Sequence, residues 1–532
     1  MKLRGGYNVP LAGRPAEKVD VPGEPEALFL PLRTPRLHFS EVLVADGQQV
    51  RQGEALAVDP GHFRMPLLAP RAGMVSRQDG RIVLQGLTQE DEEPYRNGNG
   101  NGNGHGHGNG DGAAEAEADA RHGVHAQPAG SEAARRQKLV DLGAWTFFRD
   151  ASTGQVPDPA AQPQAILVST VNFEPFSARG SVQISRRLAG FTRGLEHLQS
   201  LLEYQPIYLV VPHAEGELAD RVRETVRGHA YLKVVYVPRR YPFDHPALLA
   251  RNLGLRLSPV TGRSRSAALG APQPEGRAGR GAQDGQSVWA LRVEGVLAVD
   301  RAMTLSMPST VRIVAVGGPG VARPTHVKAM TGYPVRAILD FCQARTHVRV
   351  VMGGALTGQA WSPQCPDQAG LDAECTALTV VDDLAARRLL GWVRGGGAGR
   401  QEPSPSLLGG VGKLQPLPMT TALGGERRAC ISCQLCQRVC PAGIWPHLIH
   451  KHLQRGRLGE AQAARVDLCV ECGLCSYVCP AKLELLQQFR DARGALAAER
   501  AAWIGPPAPT AAQVAQAAEA AGLAEAGSEV RP

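Results

Sequence analysis

The chain reads as a multidomain α/β and α+β protein that closes with a small helical metal-binding unit. Three observations predict this. At 532 residues it is long enough for several domains, each able to bury a core. Strand and helix periodicities alternate through its middle, separated by stretches rich in Gly, Ala or Pro. Eight of its 11 cysteines crowd between Cys430 and Cys479.

The first unit, residues 1–91, consists of short strands and turns. Val44, Gly47, Val50, Gly53 and Leu56 recur at three-residue steps, and Ala69-Pro70-Arg71-Ala72-Gly73-Met74-Val75 follows. Glycines at turns between short alternating strands point to a small all-β unit. The pattern resembles the barrel-sandwich fold of biotinyl and lipoyl domains. A carrier domain presents a lysine at its hairpin tip, and Asp59 to Leu68 contains none. A structural module is the expectation here.

Residues 92–137 read as a disordered linker. Asn97 to Gly112 is nearly pure Asn-Gly, and an Ala/Glu/Asp-rich run follows, a composition that cannot bury apolar surface. His105 and His107 lie inside it as solvated linker residues.

Residues 138–262 carry an α/β pattern. Ala165 to Val171, Ile207 to Val211 and Leu232 to Val237 read as buried strands. Ile184, Leu188, Phe191, Leu195 and Leu198 mark one amphipathic helix, and Leu218, Val222 and Val226 another. The alternation predicts a parallel, doubly wound, Rossmann-like sheet. Ligands of such sheets sit beyond the carboxyl ends of strands, where Thr170-Val171-Asn172-Phe173-Glu174-Pro175 follows the first strand. An ordinary βα loop is the competing reading.

Residues 263–287 form a second linker. Residues 288–400 read as a small α+β unit with strands Val311 to Val316 and Val348 to Met352 and a helix opened by Pro334. Gly317-Gly318-Pro319-Gly320 and Gly353-Gly354 do not match a phosphate-cradling loop and read as turns. Cys342 sits in an apolar helical pattern and reads as core; Cys365 and Cys375 read as structural thiols.

Residues 401–500 hold the strongest signal. Cys430, Cys433, Cys436 and Cys440 form C-x2-C-x2-C-x3-C-P, and Cys469, Cys472, Cys475 and Cys479 repeat it. This is the bacterial two-cluster ferredoxin run, in which the fourth cysteine ligates the other cluster. The expected sets are Cys430, Cys433, Cys436 and Cys479 on one [4Fe–4S] centre, and Cys469, Cys472, Cys475 and Cys440 on a second. Zinc ribbons use two separated pairs, so the third close cysteine is surplus to a zinc site. Disulfide staples would be spread along the chain rather than crowded. Helices are expected at Ile444 to Leu453, Leu458 to Ala464 and Leu483 to Ala497, with a disordered tail over 501–532.

Net charge is +8, yet the basic residues are dispersed and aromatics make up only 5%, which argues against a nucleic-acid partner. No run of eighteen apolar residues exists, so no membrane span is expected, and Met1 to Gly13 lacks the apolar core of a secretory signal. The cysteine usage suits a reducing compartment.

Several stretches carry a family resemblance. Cys440-Pro441-Ala442-Gly443-Ile444-Trp445-Pro446 and Cys475 to Lys482 resemble the cluster domain of the C subunit of Rnf-type electron-transport complexes. Gly143 to Arg149, Val288 to Arg301, Val314 to Val321, Gly353 to Gly358, Gly391-Trp392 and Pro418 to Arg427 resemble the A subunit of the sodium-translocating NADH:quinone reductase. The resemblance implies a barrel-sandwich head, a flavoprotein-like Rossmann domain, a β-grasp ligand domain and a two-cluster domain. It implies a peripheral electron-transfer subunit on the cytoplasmic face of the membrane, attached through integral partner subunits. Two other readings stand beside it. One is an NADH-oxidising entry subunit with FMN; the other is a quinone-binding or scaffold module with structural clusters. Asn172, Glu174 and Pro175 resemble part of the flavin-site segment of the Rnf protein. Its G-x-G-G-A-G-F-P loop is missing, and Gly143 to Arg149 stands in its place.

Overall fold

The computed structural model describes residues 3–9, 11–88, 131–185, 187–202, 205–213, 220, 222, 224, 229–257, 287–346, 348–361, 368–382 and 429–504. The described residues form a mixed α/β protein with four sheets and a helical C-terminal unit.

Strand β1 (Val19–Asp20) belongs to a later sheet. Strands β2 (Ala27–Pro31), β3 (Glu41–Val42), β4 (Gln49–Val50), β5 (Ala55–Asp59), β6 (Met65–Leu68), β7 (Ala72–Gln78) and β8 (Arg81–Thr88) make two antiparallel sheets, β2-β8-β7-β4 and β3-β5-β6. Apolar residues alternate inward along β2, burying Leu28 and Leu30 against Leu56, Met65, Ile82 and Leu84. The tip between β5 and β6 is tied down. The Asp59 carboxylate accepts from the amides of His38 and Gly61, both at 2.8 Å, and pairs with His62 Nδ1 at 2.7 Å.

Helix α1 (Glu132–Asp141) begins inside the stretch expected to be linker, and Ser131 caps it by accepting from the Ala134 amide. Strand β9 (Arg149–Asp150), β10 (Pro163–Ser169), α2 (Gly180–Ile184), α3 (Leu188–Ser200), β11 (Ile207–Pro212), β12 (Leu232–Val237), α4 (Pro246–Asn252), β13 (Ser287–Arg292) and α5 (Val293–Leu305) follow. Their sheet runs β12-β11-β10-β13-β9, parallel except for β9. The single helix expected through Ile184 and Leu198 is two helices, α2 and α3, with Arg187 in a non-helical conformation between them. The helix expected around Leu218, Val222 and Val226 falls largely outside the described residues.

The boundary expected at residue 288 moves. Sequence order places Val288 to Arg301 in the following unit, but β13 pairs in parallel with β10, and α5 packs on α3. Val288, Trp289, Ala290 and Leu291 are all buried, as suits a strand covered on both faces. The strand order therefore reverses between β10 and β13, a switch point that the sequence order alone conceals.

Strands β14 (Val311–Gly317) and β15 (Thr325–Met330), helix α6 (Val335–Phe341), and strands β16 (Val348–Met352), β17 (Gln359–Ala360) and β18 (Ala377–Asp382) complete the body. Their sheet runs β1-β15-β14-β18-β16-β17. Its first strand comes from the N-terminus. Residues 3–9 and 11–20, expected in the β unit, instead cross the rest of the molecule. Gly6 donates to Val439 O and Tyr7 to Tyr241 O, both at 2.9 Å, and Gly13 O accepts from Gly318 at 2.8 Å. Cys342 is fully buried, as its helical pattern predicts.

Residues 429–504 form the last unit. Helices α7 (Leu435–Val439), α8 (Pro446–Gln454), α9 (Leu458–Ala463), α10 (Leu474–Tyr477) and α11 (Leu485–Ile504) enclose a core of their own around Ile449, Val466 and Phe489. The Gly391-Trp392 and Pro418 to Arg427 matches lie outside the described residues.

Candidate iron–sulfur centres

The two cysteine runs fold alike. Ser432 (φ 57°) and Gln434 (φ 60°) are left-handed in the first, as are Glu471 (φ 53°) and Gly473 (φ 76°) in the second. These pairs occupy equivalent places, one in each two-residue gap, so each loop curls and presents its cysteines on its concave side. The third cysteine of each run then sits in a short helix, Cys436 in α7 and Cys475 in α10. Gly443 and Lys482, each three residues beyond the fourth cysteine, are left-handed too and turn the chain into α8 and α11.

The last cysteine of each run lies near the other run. Cys430, Cys433 and Cys436 line one cavity together with Cys479, the last cysteine of the other run. Cys440 lies within electrostatic reach of Cys469, Cys472 and Cys475, and Cys475 within reach of Cys436. Two four-cysteine sets thus meet at Cys436 and Cys475.

Burial pushes the thiols of Cys436 and Cys469 up to about 11, and those of Cys472 and Cys475 higher still, with neighbouring cysteines adding to the shift. Backbone amides oppose it. Amides of Gln437 and His447 face Cys436, those of Ile444, Ala442 and Gly443 face Cys440, and the Glu471 amide approaches Cys469 Sγ at 3.4 Å. Such N–H groups stabilise thiolates and tune whatever the thiolates hold. Metal binding at these sites must release protons.

Two histidines that the sequence analysis passed over line the first cavity. His450 is fully buried and pairs its Nδ1 with Gln488 Oε1 at 2.6 Å. His450 Nε2 and His447 Nδ1 are buried with no hydrogen-bond partner among the described residues. Orphaned polar atoms beside four cysteines fit a site built around a polar inorganic group. The signal was their i, i+3 spacing on the helix after Cys440-Pro441. No three His, Cys, Asp or Glu side chains among the described residues converge on a single-ion site. A four-iron cluster makes no such demand, since each cysteine ligates its own iron.

The second set is packed against the body. Tyr241 is buried and donates its hydroxyl to Cys472 O at 2.7 Å. Arg251 donates to Leu468 O at 3.0 Å. A side chain at Gly473 would meet Leu356 O at 2.5 Å, and one at Gly5 would meet Cys440 O at 2.5 Å. Glu471 pairs with Arg490 at 3.1 Å and with Arg493. Tyr241, Arg251, Leu356 and Gly5 carry no sequence signal, because each comes from a distant segment.

The segments compared with a flavin site are engaged internally. Trp145 and Phe148 are fully buried and stacked at 4.3 Å, with Trp289 edge-on to both. Glu174 Oε1 accepts from Thr357 N at 2.9 Å and Thr357 Oγ1 at 2.6 Å, and Pro175 O accepts from Ala355 at 3.3 Å. Asn172 Nδ2 reaches Ala178 O at 3.3 Å, while its Oδ1 is buried without a partner among the described residues.

Residues 131–229 match the NqrA second alpha/beta domain, and residues 423–491 match the 4Fe-4S dicluster domain. The chain is 25% identical to the A subunit of the Na(+)-translocating NADH-quinone reductase of Yersinia pseudotuberculosis over 470 residues, covering 87% of this chain and 91% of the relative. It is also 25% identical to the protein of that name from Neisseria meningitidis over 485 residues, with the same coverage. The chain is thus similar to NqrA over most of its length and matches a dicluster domain near its C-terminus. The dicluster match supports two [4Fe–4S] clusters in the C-terminal ferredoxin-type unit. A chain of an NAD+-reducing [NiFe]-hydrogenase in the H2-reduced state aligns over 76% of this chain and 70% of that one at 12% identity, with a TM-score of 0.39, too distant to bear on fold or function.

Proposed function

We propose that the chain is the peripheral electron-transfer subunit of a membrane-bound Nqr/Rnf-type ion-translocating oxidoreductase. In this reading Cys430, Cys433, Cys436 and Cys479 hold one [4Fe–4S] cluster, and Cys469, Cys472, Cys475 and Cys440 the other. The observation that carries it is the shared cavity of Cys479 with the first run, with Cys440 returned to the second. When bound, the clusters supply one-electron oxidation and reduction. The protein places the two sets side by side at Cys436 and Cys475, directs amides at the sulfurs, and excludes water from the second set with Tyr241 and Leu356.

The body is read as a barrel-sandwich head, a Rossmann-like domain and a β-grasp domain. No described helix is long and apolar enough to cross a membrane, so attachment is assigned to integral partner subunits on the cytoplasmic face. Anaerobic preparation with iron, sulfide and flavin assays tests the reading. About eight irons per chain, no flavin, and dithionite-reducible interacting EPR signals are expected. Recovery of a hydrophobic redox protein from gently solubilised membranes is expected as well.

A second reading, an FMN-bearing NADH-oxidising entry subunit, is favoured by one observation. Asn172 Oδ1 is a buried acceptor with no partner among the described residues, just beyond the carboxyl end of β10 and next to the switch point. Stoichiometric flavin, or reduction of the clusters by NADH alone, would replace the first reading with this one.

A further inference from the structure

We propose that His450 donates a hydrogen bond from Nε2 to a sulfur of the cluster held by Cys430, Cys433, Cys436 and Cys479, and so raises the potential of that centre above what the cysteines alone would give. The inference rests on the electron-transfer reading and names the side chain that sets one of its two potentials. His450 lies on α8, is fully buried, and lines the cavity of the first cysteine set. Gln488, from α11, holds its Nδ1 at 2.6 Å. With one nitrogen tied to a neighbouring helix, the other is left over, and Nε2 is buried with no partner among the described residues. Ala481, Leu483 and Leu485 share the cavity wall and offer it nothing polar in their side chains. A buried polar atom left unpaired costs free energy, so an orphan beside four cysteines marks the place of a partner. Thiolate and sulfide sulfurs only accept hydrogen bonds, so a nitrogen turned to them is satisfied when it carries the hydrogen. A half-turn of the Gln488 amide then presents its NH2 end to Nδ1.

The internal repeat supplies a comparison within the chain. His450 is the tenth residue after Cys440, and the tenth residue after Cys479 is Phe489. Gly443 and Lys482 turn the two halves into α8 and α11 alike, and Phe489 is as fully buried as His450. An aromatic ring fills both places, and the one beside the first set carries nitrogens. A polar ring buried where its counterpart is apolar lowers stability unless it is paired. His447 lines the cavity as well, next to the exposed Trp445, and its Nδ1 is orphaned too. What singles out His450 is the tether to α11, which fixes the ring and leaves Nε2 for the cavity. A donor at a sulfur stabilises the more negative, reduced form, and the potential rises accordingly.

The test uses the full chain reconstituted anaerobically with iron and sulfide and titrated at fixed pH with EPR detection. The first centre is the one whose signal Cys433→Ser removes. His450→Phe copies the second half of the repeat, and His450→Gln keeps an N–H at a similar reach. In His450→Phe the one-electron reduction equilibrium of the first centre should shift about tenfold toward the oxidised form, a fall of about 59 mV, while the second centre keeps its midpoint. His450→Gln should retain most of the unsubstituted midpoint. Iron content of about eight per chain reports an intact unit in each variant. Should His450→Phe fail to hold iron, the unsubstituted chain carrying nitrogen-labelled histidine decides. Pulsed EPR should then show a weak histidine coupling on the first centre, which His450→Gln removes. An unmoved first midpoint in His450→Phe, equal falls in both centres, or an equal fall in His450→Gln overturns the proposal. So does a histidine coupling that is absent, or as strong as that of an iron-bound nitrogen. Centres that dithionite does not reduce sink the electron-transfer reading and this inference with it; reducible centres with an unmoved midpoint sink this inference alone.

Discussion

The Tyr241 hydroxyl donates to the backbone carbonyl of Cys472 at 2.7 Å, joining the end of the parallel sheet to the second cysteine loop. Tyr241 and Cys472 are both buried, along with Val470 and Leu474 from the same loop. The bond therefore lies inside the contact between the α/β body and the cluster unit.

Replacing this hydroxyl leaves a buried carbonyl without its donor. Tyr241→Phe should cost about 1–3 kcal/mol in urea unfolding. It also removes a dipole whose positive end faces the second set, so the potential of that centre should fall while the first stays put. Redox titration followed by EPR measures both; equal shifts in the two centres would contradict the placement of Tyr241.

The proposed crossing of the ligand sets predicts which cysteine substitutions behave alike. Cys479→Ser and Cys433→Ser should abolish the same centre, and Cys440→Ser and Cys472→Ser the other. Each should lower iron from about eight to about four per chain. If Cys479→Ser matched Cys472→Ser in its EPR signature, the runs would not be crossed.

Glu374 bonds Arg36 at 2.5 Å, Arg149 at 3.0 Å and Thr34 at 2.7 Å, locking the β unit, the α/β unit and the six-stranded sheet together. Burial alone would raise its pKa, but Arg36 and Arg149 bring it down from 4.5 to about 2. Its contribution to stability is complete above the unfolded value and is lost as pH falls toward the folded one. Glu374→Gln should cost about 3 kcal/mol at neutral pH, because two largely buried guanidinium groups lose their counter-charge. The gap from the unsubstituted protein should close on acidification from pH 4.5 toward about 2, as seen in urea midpoints followed by tryptophan fluorescence. A gap that stays constant with pH would remove the charge from the explanation.

Helices α3 and α5 touch at Gly194, where an added Cβ would lie 2.4 Å from Val296 O. Backbone cannot yield as a flexible side chain does. Gly194→Ala should therefore destabilise by about 1–3 kcal/mol in the same assay. An unchanged urea midpoint would mean that the helices can part without cost.

Many of these elements are legible in the residues alone. The strands Ile207 to Val211 and Leu232 to Val237 show as short apolar runs, and β11 and β12 occupy them. Strand Val288 to Leu291 is just as apolar, but nothing local says that it pairs with β10 rather than with a later strand. The β unit is legible in its turn glycines; the N-terminal segment is not, since extended backbone hydrogen-bonds wherever an edge is offered. The Gly143 to Arg149 segment announces aromatic residues, and only packing shows Trp145 and Phe148 closed against Trp289.

By itself the sequence determined the dicluster chemistry, because thiolate spacing along one short loop is a local property that no distant contact is needed to create. Tertiary structure alone decided the surroundings of each set. Tyr241, Arg251, Leu356 and Gly5 reach the second set from segments far apart in the chain, while Ile431 and Trp445 leave the first set open. Burial and partner choice are sums over contacts between distant residues, and those sums exist only once the chain has folded.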